Sequence, residues 1–292
     1  MPEPTATSVS IILPALANTP IPPTSTVAPT QIPCDPRVVD YCITDGHFIL
    51  QRPIQPPNND SVDGTYRYAS TANGTRDPHH GVEFLNKYGT PVHAAADGVV
   101  VFAGPDDEAI YSPWKNFYGN VVVIHHADDL FTLYAHLSKI DVYQGDDVTV
   151  GAKIGEVGQS GVATGSHLHF EVRRGNVEDY FSTQNPELWL VPERDERRLQ
   201  YGTLMISIED ENLKHQYAGL TITRYPRFLD TPEKTYYLET YINEMATGEE
   251  NAAMGNLPAG RYRIALKLNG HLYERWVELR SDKLTQVVIV VK

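Results

Sequence analysis

From Gly81 to Arg173 the chain alternates short apolar runs with small turn residues. Residues 92–102 read as one strand ending at Ala103 and Gly104, followed by strands over residues 120–125 (NVVVIH) and 131–136 (FTLYAH). Residues 148–150, 153–157 and 167–172 continue the series. β-branched and aromatic residues dominate these runs, and Gly, Asp and Asn separate them at strand-like spacing. No apolar pattern of 3.6-residue period reaches helical length, so the region is predicted to be all-β. A second β-pattern begins after residue 200, with short strands expected over residues 202–208, 219–223, 236–239, 261–266, 274–279 and 285–291.

The ends read differently. Twelve of the 21 prolines lie at or before Pro57, and residues 1–31 are rich in Pro, Thr and Ala without Lys or Arg. Such a stretch cannot bury enough apolar surface to offset its ordering entropy and is expected to be an extended linker. Residues 8–17 hold a short apolar run like the core of a signal peptide, but Glu3 stands where a basic segment is required. Cys34 and Cys42 are the two cysteines, seven residues apart. A disulfide closing this loop, and hence an oxidising compartment, is the favoured reading, with two free thiols as the alternative. The organisation expected is a linker with the cysteine loop over residues 1–45, a β-domain over 46–192, a charged linker over 193–200 and a second β-domain over 201–292.

The chain has 292 residues and a formal net charge of -13. An acidic balance argues against nucleic acid or an anionic membrane as the main partner. No run of about 18 apolar residues is present, so no transmembrane segment is expected. Histidine changes the picture most. Eight of the 11 fall between His79 and His169: His79, His80, His93, His125, His126, His136, His167 and His169. Alternate side chains share one face of a strand. In HLHF, His167 and His169 therefore point one way while Leu168 and Phe170 point into the core. In HHGVE, an extended backbone puts His79 and Glu83 on one face, with Gly81 leaving room between them. By the same parity His136 shares a face with Thr132 and Tyr134. Two imidazoles and a carboxylate suit a tetrahedral Zn²⁺ with one open position, where bound water becomes a nucleophile near neutral pH. No HExxH occurs, which excludes the helix-borne zinc protease arrangement.

The motifs HHGVEF (79–84), GTPVHAAADG (89–98), YGN (118–120), TLYAHLS (132–138), GDDV (145–148), GAKIG (151–155), GQSG (158–161) and TGSHLHFEV (164–172) follow in order over about a hundred residues. In this the chain resembles the LytM/lysostaphin-type M23 zinc metallopeptidases. The resemblance implies an antiparallel β-sheet groove and hydrolysis of peptide bonds in bacterial peptidoglycan by an extracellular or cell-surface protein. It implies one Zn²⁺ per chain, held by His79, Glu83 and His169, with His136 and His167 as the catalytic histidines that polarise water or stabilise the oxyanion. Asn120 and Tyr134 match groove-side positions. Glu83 departs from the family's usual Asp, and its extra methylene puts the catalytic rate in question. The alternative is a degenerate module that binds the wall or a partner protein and regulates another hydrolase.

His80 is the nearest rival ligand, whereas His93, His125 and His126 read as ordinary surface or hydrogen-bonded residues. Glu171 either orients the His169 ring or pairs with Arg173 or Arg174. The aromatic insertion at residues 105–118 (PDDEAIYSPWKNFY) either contacts substrate or packs locally. NLPAGRYRI (256–264) and TQVVIVVK (285–292) resemble the carboxypeptidase-regulatory or transthyretin-like β-sandwich. That module either places the peptidase on a wall or partner or is purely structural.

Overall fold

Period-two alternation along His167–Arg174 sends Leu168, Phe170 and Val172 into a fully buried core and leaves His167, His169, Glu171 and Arg173 on the opposite face. This strand organises the site, because it pairs antiparallel with Val82–Leu85 on one side and Leu130–Ala135 on the other. Outward from Leu130–Ala135 the sheet continues through Asn120–His125 and Gly98–Pro105 to Asp147–Val148. A three-stranded sheet of Pro91–His93, Lys153–Val157 and Leu137–Ile140 covers its inner face. Val92, Leu137, Ile154 and Val157 from the small sheet meet Phe84, Val122, Tyr134 and Phe170 from the large one.

The computed structural model describes residues 1, 34–72, 74–193, 200–226, 230–241, 245 and 249–292. Residues 2–33, most of the expected linker, and residues 194–199 of the charged segment lie outside the described residues. Among the described residues no helix is long and apolar enough to cross a membrane, and the helical elements are two three-residue 3₁₀ turns.

Residues 92–102 do not form the single strand expected of them. Pro91–His93 joins the small sheet and Gly98–Pro105 the large one, with the chain bending between them. One apolar run thus serves two sheets that share a core, and apolar content alone does not encode that change of partner.

The second β-region is a sandwich. Tyr201–Glu209, Ala252–Pro258, Leu284–Val290 and the short Cys42–Thr44 form one sheet, in which Tyr201–Glu209 and Leu284–Val290 run parallel. Gly219–Tyr225, Lys234–Glu239, Gly260–Leu268 and His271–Leu279 form the other. Leu204, Ile206 and Ile289 face Ile222, Ile264 and Val277 across its core. Cys34 and Cys42 are joined by a disulfide, and Cys42 begins the strand that lies along Leu284–Val290. Residues Cys34–Lys292 form one compact unit, and the first core continues directly into Met205, Tyr241, Ala253 and Leu284 of the sandwich.

Candidate metal centre and active-site groove

Glu83 and His169 sit opposite each other in the register of Val82–Leu85 and His167–Arg174. His79 precedes the first of these strands, and backbone bonds from Ala69 N to its carbonyl and from its own N to Ser70 O hold it in place. Gly81 allows the close approach. A Cβ there would stand 2.5 Å from Phe170 O and 2.9 Å from His169 Cε1, so a larger residue would push the two segments apart.

These elements converge three ligand atoms. His79 Nε2 lies 2.9 Å from Glu83 Oε1 and 3.1 Å from His169 Nδ1, and His169 Nδ1 lies 3.1 Å from Glu83 Oε1. All three residues are buried. The outer nitrogen of each ring sets its tautomer. His79 Nδ1 donates to Arg67 O at 3.3 Å, and His169 Nε2 donates to Glu171 Oε1 at 3.0 Å. Both partners only accept, so the inner nitrogens carry lone pairs. Two lone pairs and a carboxylate oxygen facing one another require a cation. With ligand bonds of about 2.0–2.1 Å, tetrahedral donors sit about 3.3 Å apart, close to the spacing observed. The same cluster of acceptors attracts a proton. Burial lowers the His169 pKa, but Glu83 and Glu171 outweigh that and push it up to about 9. Burial likewise raises the Glu83 carboxyl, and His169, His167 and His79 overcome this to hold it well below the usual carboxylate range. The longer side chain of Glu83 is accommodated, since Oε1 reaches both rings.

His167 and His136 stand beside this group. His167 Nδ1 donates to Gly165 O at 2.8 Å. Its Nε2 lies 2.9 Å from Glu83 Oε2, which has no hydrogen bond of acceptable geometry. His136 reaches the groove in a way that parity did not predict. Thr132 and Tyr134 face the core: Tyr134 is fully buried and its hydroxyl accepts from Ala95 N and from Thr132. His136 has φ 60°, and this left-handed residue ends the strand and turns its ring to the opposite side. There it lies 4.8 Å from the His167 ring and 5.7 Å from that of His169. Its Nδ1 donates to Ser160 O at 2.9 Å. Asn120 Nδ2 and Ser160 Oγ both donate to Leu137 O, so Asn120 braces the turn from behind. Gly119 lets the two loops touch, since a Cβ there would meet Ser160 Oγ at 2.4 Å. Burial, with His169 and His167 adding to it, pushes the His136 pKa down to about 3, so the ring is neutral.

His80 is not part of the group. Its ring stacks on Tyr180 with centroids 3.6 Å apart. His125 stacks on Phe131, and His126 bonds Asp97 O and Thr132. Glu171 does both things considered for it. It accepts from His169 and pairs with Arg173 at 2.7 Å, while Tyr118 donates to it at 2.6 Å. Of the two arginines considered for it, Arg173 is the partner, whereas the bond from Tyr118 is one the sequence reading did not contain. The metal group forms the floor of an open groove of about 870 Å³. Trp114 and Phe117 of the insertion line it with Tyr180, whereas Tyr111 and Tyr118 are buried. Tyr66 also lines it, with its ring stacked on His79 at 4.0 Å.

Residues 77–180 match the family described as Peptidase family M23. The chain is 46% identical over 95 residues to the DD-carboxypeptidase/endopeptidase Mpg of Neisseria meningitidis, covering 32% of this chain and 20% of that protein. It is 39% identical over 174 residues to the peptidoglycan DD-endopeptidase ShyA of Vibrio cholerae, covering 54% and 38%. Among solved structures, the catalytic domain of lysostaphin from Staphylococcus simulans is 34% identical, covering 42% of this chain and 86% of that one, with a TM-score of 0.35. The chain thus spans well under half the length of these two curated relatives.

Proposed function

Residues 77–180 being a peptidase family M23 domain, we propose that the chain is a zinc metalloendopeptidase that hydrolyses peptide bonds of bacterial peptidoglycan. The observation that carries the reading is the convergence of two imidazole lone pairs and a carboxylate at the floor of a groove that two further histidines flank. His79, Glu83 and His169 would hold Zn²⁺. When bound, the metal polarises the scissile carbonyl and makes water a nucleophile near neutral pH. The chain's own groups do the rest. His136 is kept neutral, and with Nδ1–H tied to Ser160 O its Nε2 is the atom that accepts the proton of the attacking water. His167, anchored through Nδ1–H to Gly165 O, would stabilise the developing oxyanion by donating from a second proton on Nε2, that is, as an imidazolium. Trp114, Phe117 and Tyr180 supply an apolar surface along which an extended peptide can lie.

The disulfide supports an extracellular or cell-surface location, because such bonds persist in oxidising compartments. We read the C-terminal sandwich as a transthyretin-like or carboxypeptidase-regulatory module on the strength of NLPAGRYRI and TQVVIVVK. Two substitutions separate the roles. His169→Ala should abolish both zinc binding and release of free amines from purified sacculi. His136→Ala should retain one zinc per chain and lose the rate. Full activity of the His136 variant would overturn the assignment. Absence of both zinc and amine release in the native protein would favour a non-catalytic regulator.

A further inference from the structure

The groove holds four formally charged side chains other than histidine: Asp63, Asp77, Glu83 and Arg76. Arg76 is therefore the one Lys or Arg among the described residues that line it. Its backbone is fixed rather than trailing. Thr75 N and Arg76 N both donate to Thr71 O, at 3.0 and 3.1 Å, and Gly74 N donates to Thr71 Oγ1 at 3.0 Å. Its guanidinium lies over the Tyr66 ring, 5.2 Å from the centroid, and that same ring stacks on the metal-group residue His79. Arg76 thus stands one aromatic ring away from the reacting centre. Among the described residues it forms no ion pair, whereas Arg67 and Arg173 are each bound to a buried glutamate. Asp63 is occupied by Thr65, whose N and Oγ1 both donate to it. An exposed, aromatic-backed guanidinium with open donors is suited to a carboxylate, which it can grip through two parallel N–H bonds.

Resting on the peptidase reading above, we propose that Arg76 is a specificity-determining residue that binds a free carboxylate on the residue flanking the scissile amide. The substrate is then a stem or cross-link bond next to a carboxylate, as against a glycine bridge, which carries none. The overall charge makes the local contact necessary. A chain of net charge -13 gives an anionic peptide no long-range attraction, so a carboxylate beside the scissile amide depends on a local partner such as Arg76. Asp77 beside Arg76 adds a penalty for any carboxylate placed off the guanidinium, which sharpens the position rather than the affinity.

The test uses two synthetic cross-linked peptides identical except that the flanking carboxylate is free in one and a primary amide in the other. The native protein should prefer the free acid by about tenfold in kcat/KM, with the difference carried by KM. Arg76→Gln should bring the two substrates within about twofold of each other, and Arg76→Lys should keep part of the preference, because a point charge lacks the fork geometry. Equal cleavage of both peptides by the native protein would overturn the Arg76 assignment and leave the peptidase reading intact. Cleavage of neither peptide, with no amine release from sacculi, would overturn the peptidase reading. Calorimetric titration of both peptides into the His136→Ala variant then decides Arg76 separately: tighter binding of the free acid, abolished by Arg76→Gln, upholds it, and equal affinities overturn it.

Discussion

Replacing Glu187 with Gln probes a connection from the C-terminal sandwich to the metal group. Glu187 lies in the 3₁₀ turn Pro186–Leu188 and is buried. Its carboxylate accepts from Arg67 Nη1 at 2.5 Å to both oxygens and from Gly255 N of the sandwich strand Ala252–Pro258 at 2.8 Å. The carbonyl of that same Arg67 is the acceptor that sets the His79 tautomer. Glutamine keeps the shape but removes the charge. Charge-assisted bonds contribute about 1.5–3 kcal/mol, and a buried partner left unpaired costs about 3–5 kcal/mol. A loss of about 3 kcal/mol is expected, which lowers the midpoint of a domain this size by about 6–12 °C. Displacement of Arg67 should also weaken zinc binding by about tenfold, the lower end of what removal of an outer partner costs. Differential scanning calorimetry and competition with a chromophoric chelator measure the two effects. A melting midpoint within 2 °C of native would refute the energetic argument. A lowered midpoint with unchanged zinc affinity would show that the connection stops short of His79.

Three further outcomes follow from the same geometry. Glu171→Gln leaves the buried Arg173 without a counter-charge and His169 with a weaker acceptor, so we expect about 3–5 kcal/mol of destabilisation and about 10–100-fold weaker zinc binding; a chelator titration indistinguishable from native would contradict this. His80 is pushed by burial down to about 4 from about 6.5, so the unfolded state takes up its proton first. The stability from keeping His80 neutral, about 3 kcal/mol, is present above pH 6.5 and is lost as pH falls toward 4. His80→Phe, which retains stacking on Tyr180, should show a flatter urea midpoint between pH 7 and 4.5, and an unchanged slope would refute the argument. Trp114→Ala removes an exposed aromatic from the groove and should raise KM about threefold to tenfold with kcat little changed, in a turnover assay on sacculi.

How much of this could be read from the chain depends on which interaction fixes each feature. Period-two alternation put His167 and His169 on one face, because strand parity is a local property. The same reasoning misplaced His136 relative to Thr132 and Tyr134, because a single left-handed residue reverses the face and no local pattern announces it. The strand Ala252–Pro258 (AAMGNLP) went unread, since Ala, Gly and Asn are poor strand formers, and it exists through pairing with Tyr201–Glu209. Cys42–Thr44 fell inside the expected linker but pairs with Leu284–Val290, a partner some 240 residues away in sequence that no local pattern points to. The shared core of Met205, Tyr241, Ala253 and Leu284 is likewise a matter of partners: apolarity marks these positions as buried without saying against what. The three positions proposed to hold zinc came from the family resemblance that the ordered motifs carry. Glu171 and its partner Arg173 lie on the same strand and were legible there, whereas Tyr118 and the Arg67 carbonyl are scattered residues that only the fold assembles.

The most direct test of the central claim is release of free amines from purified sacculi by protein stripped with a chelator and then titrated with Zn²⁺. Stripping should abolish release, one equivalent of Zn²⁺ should restore it, and His169→Ala should stay inactive at every zinc level. Hydrolysis that persists in excess chelator, or in the His169 variant, would contradict it.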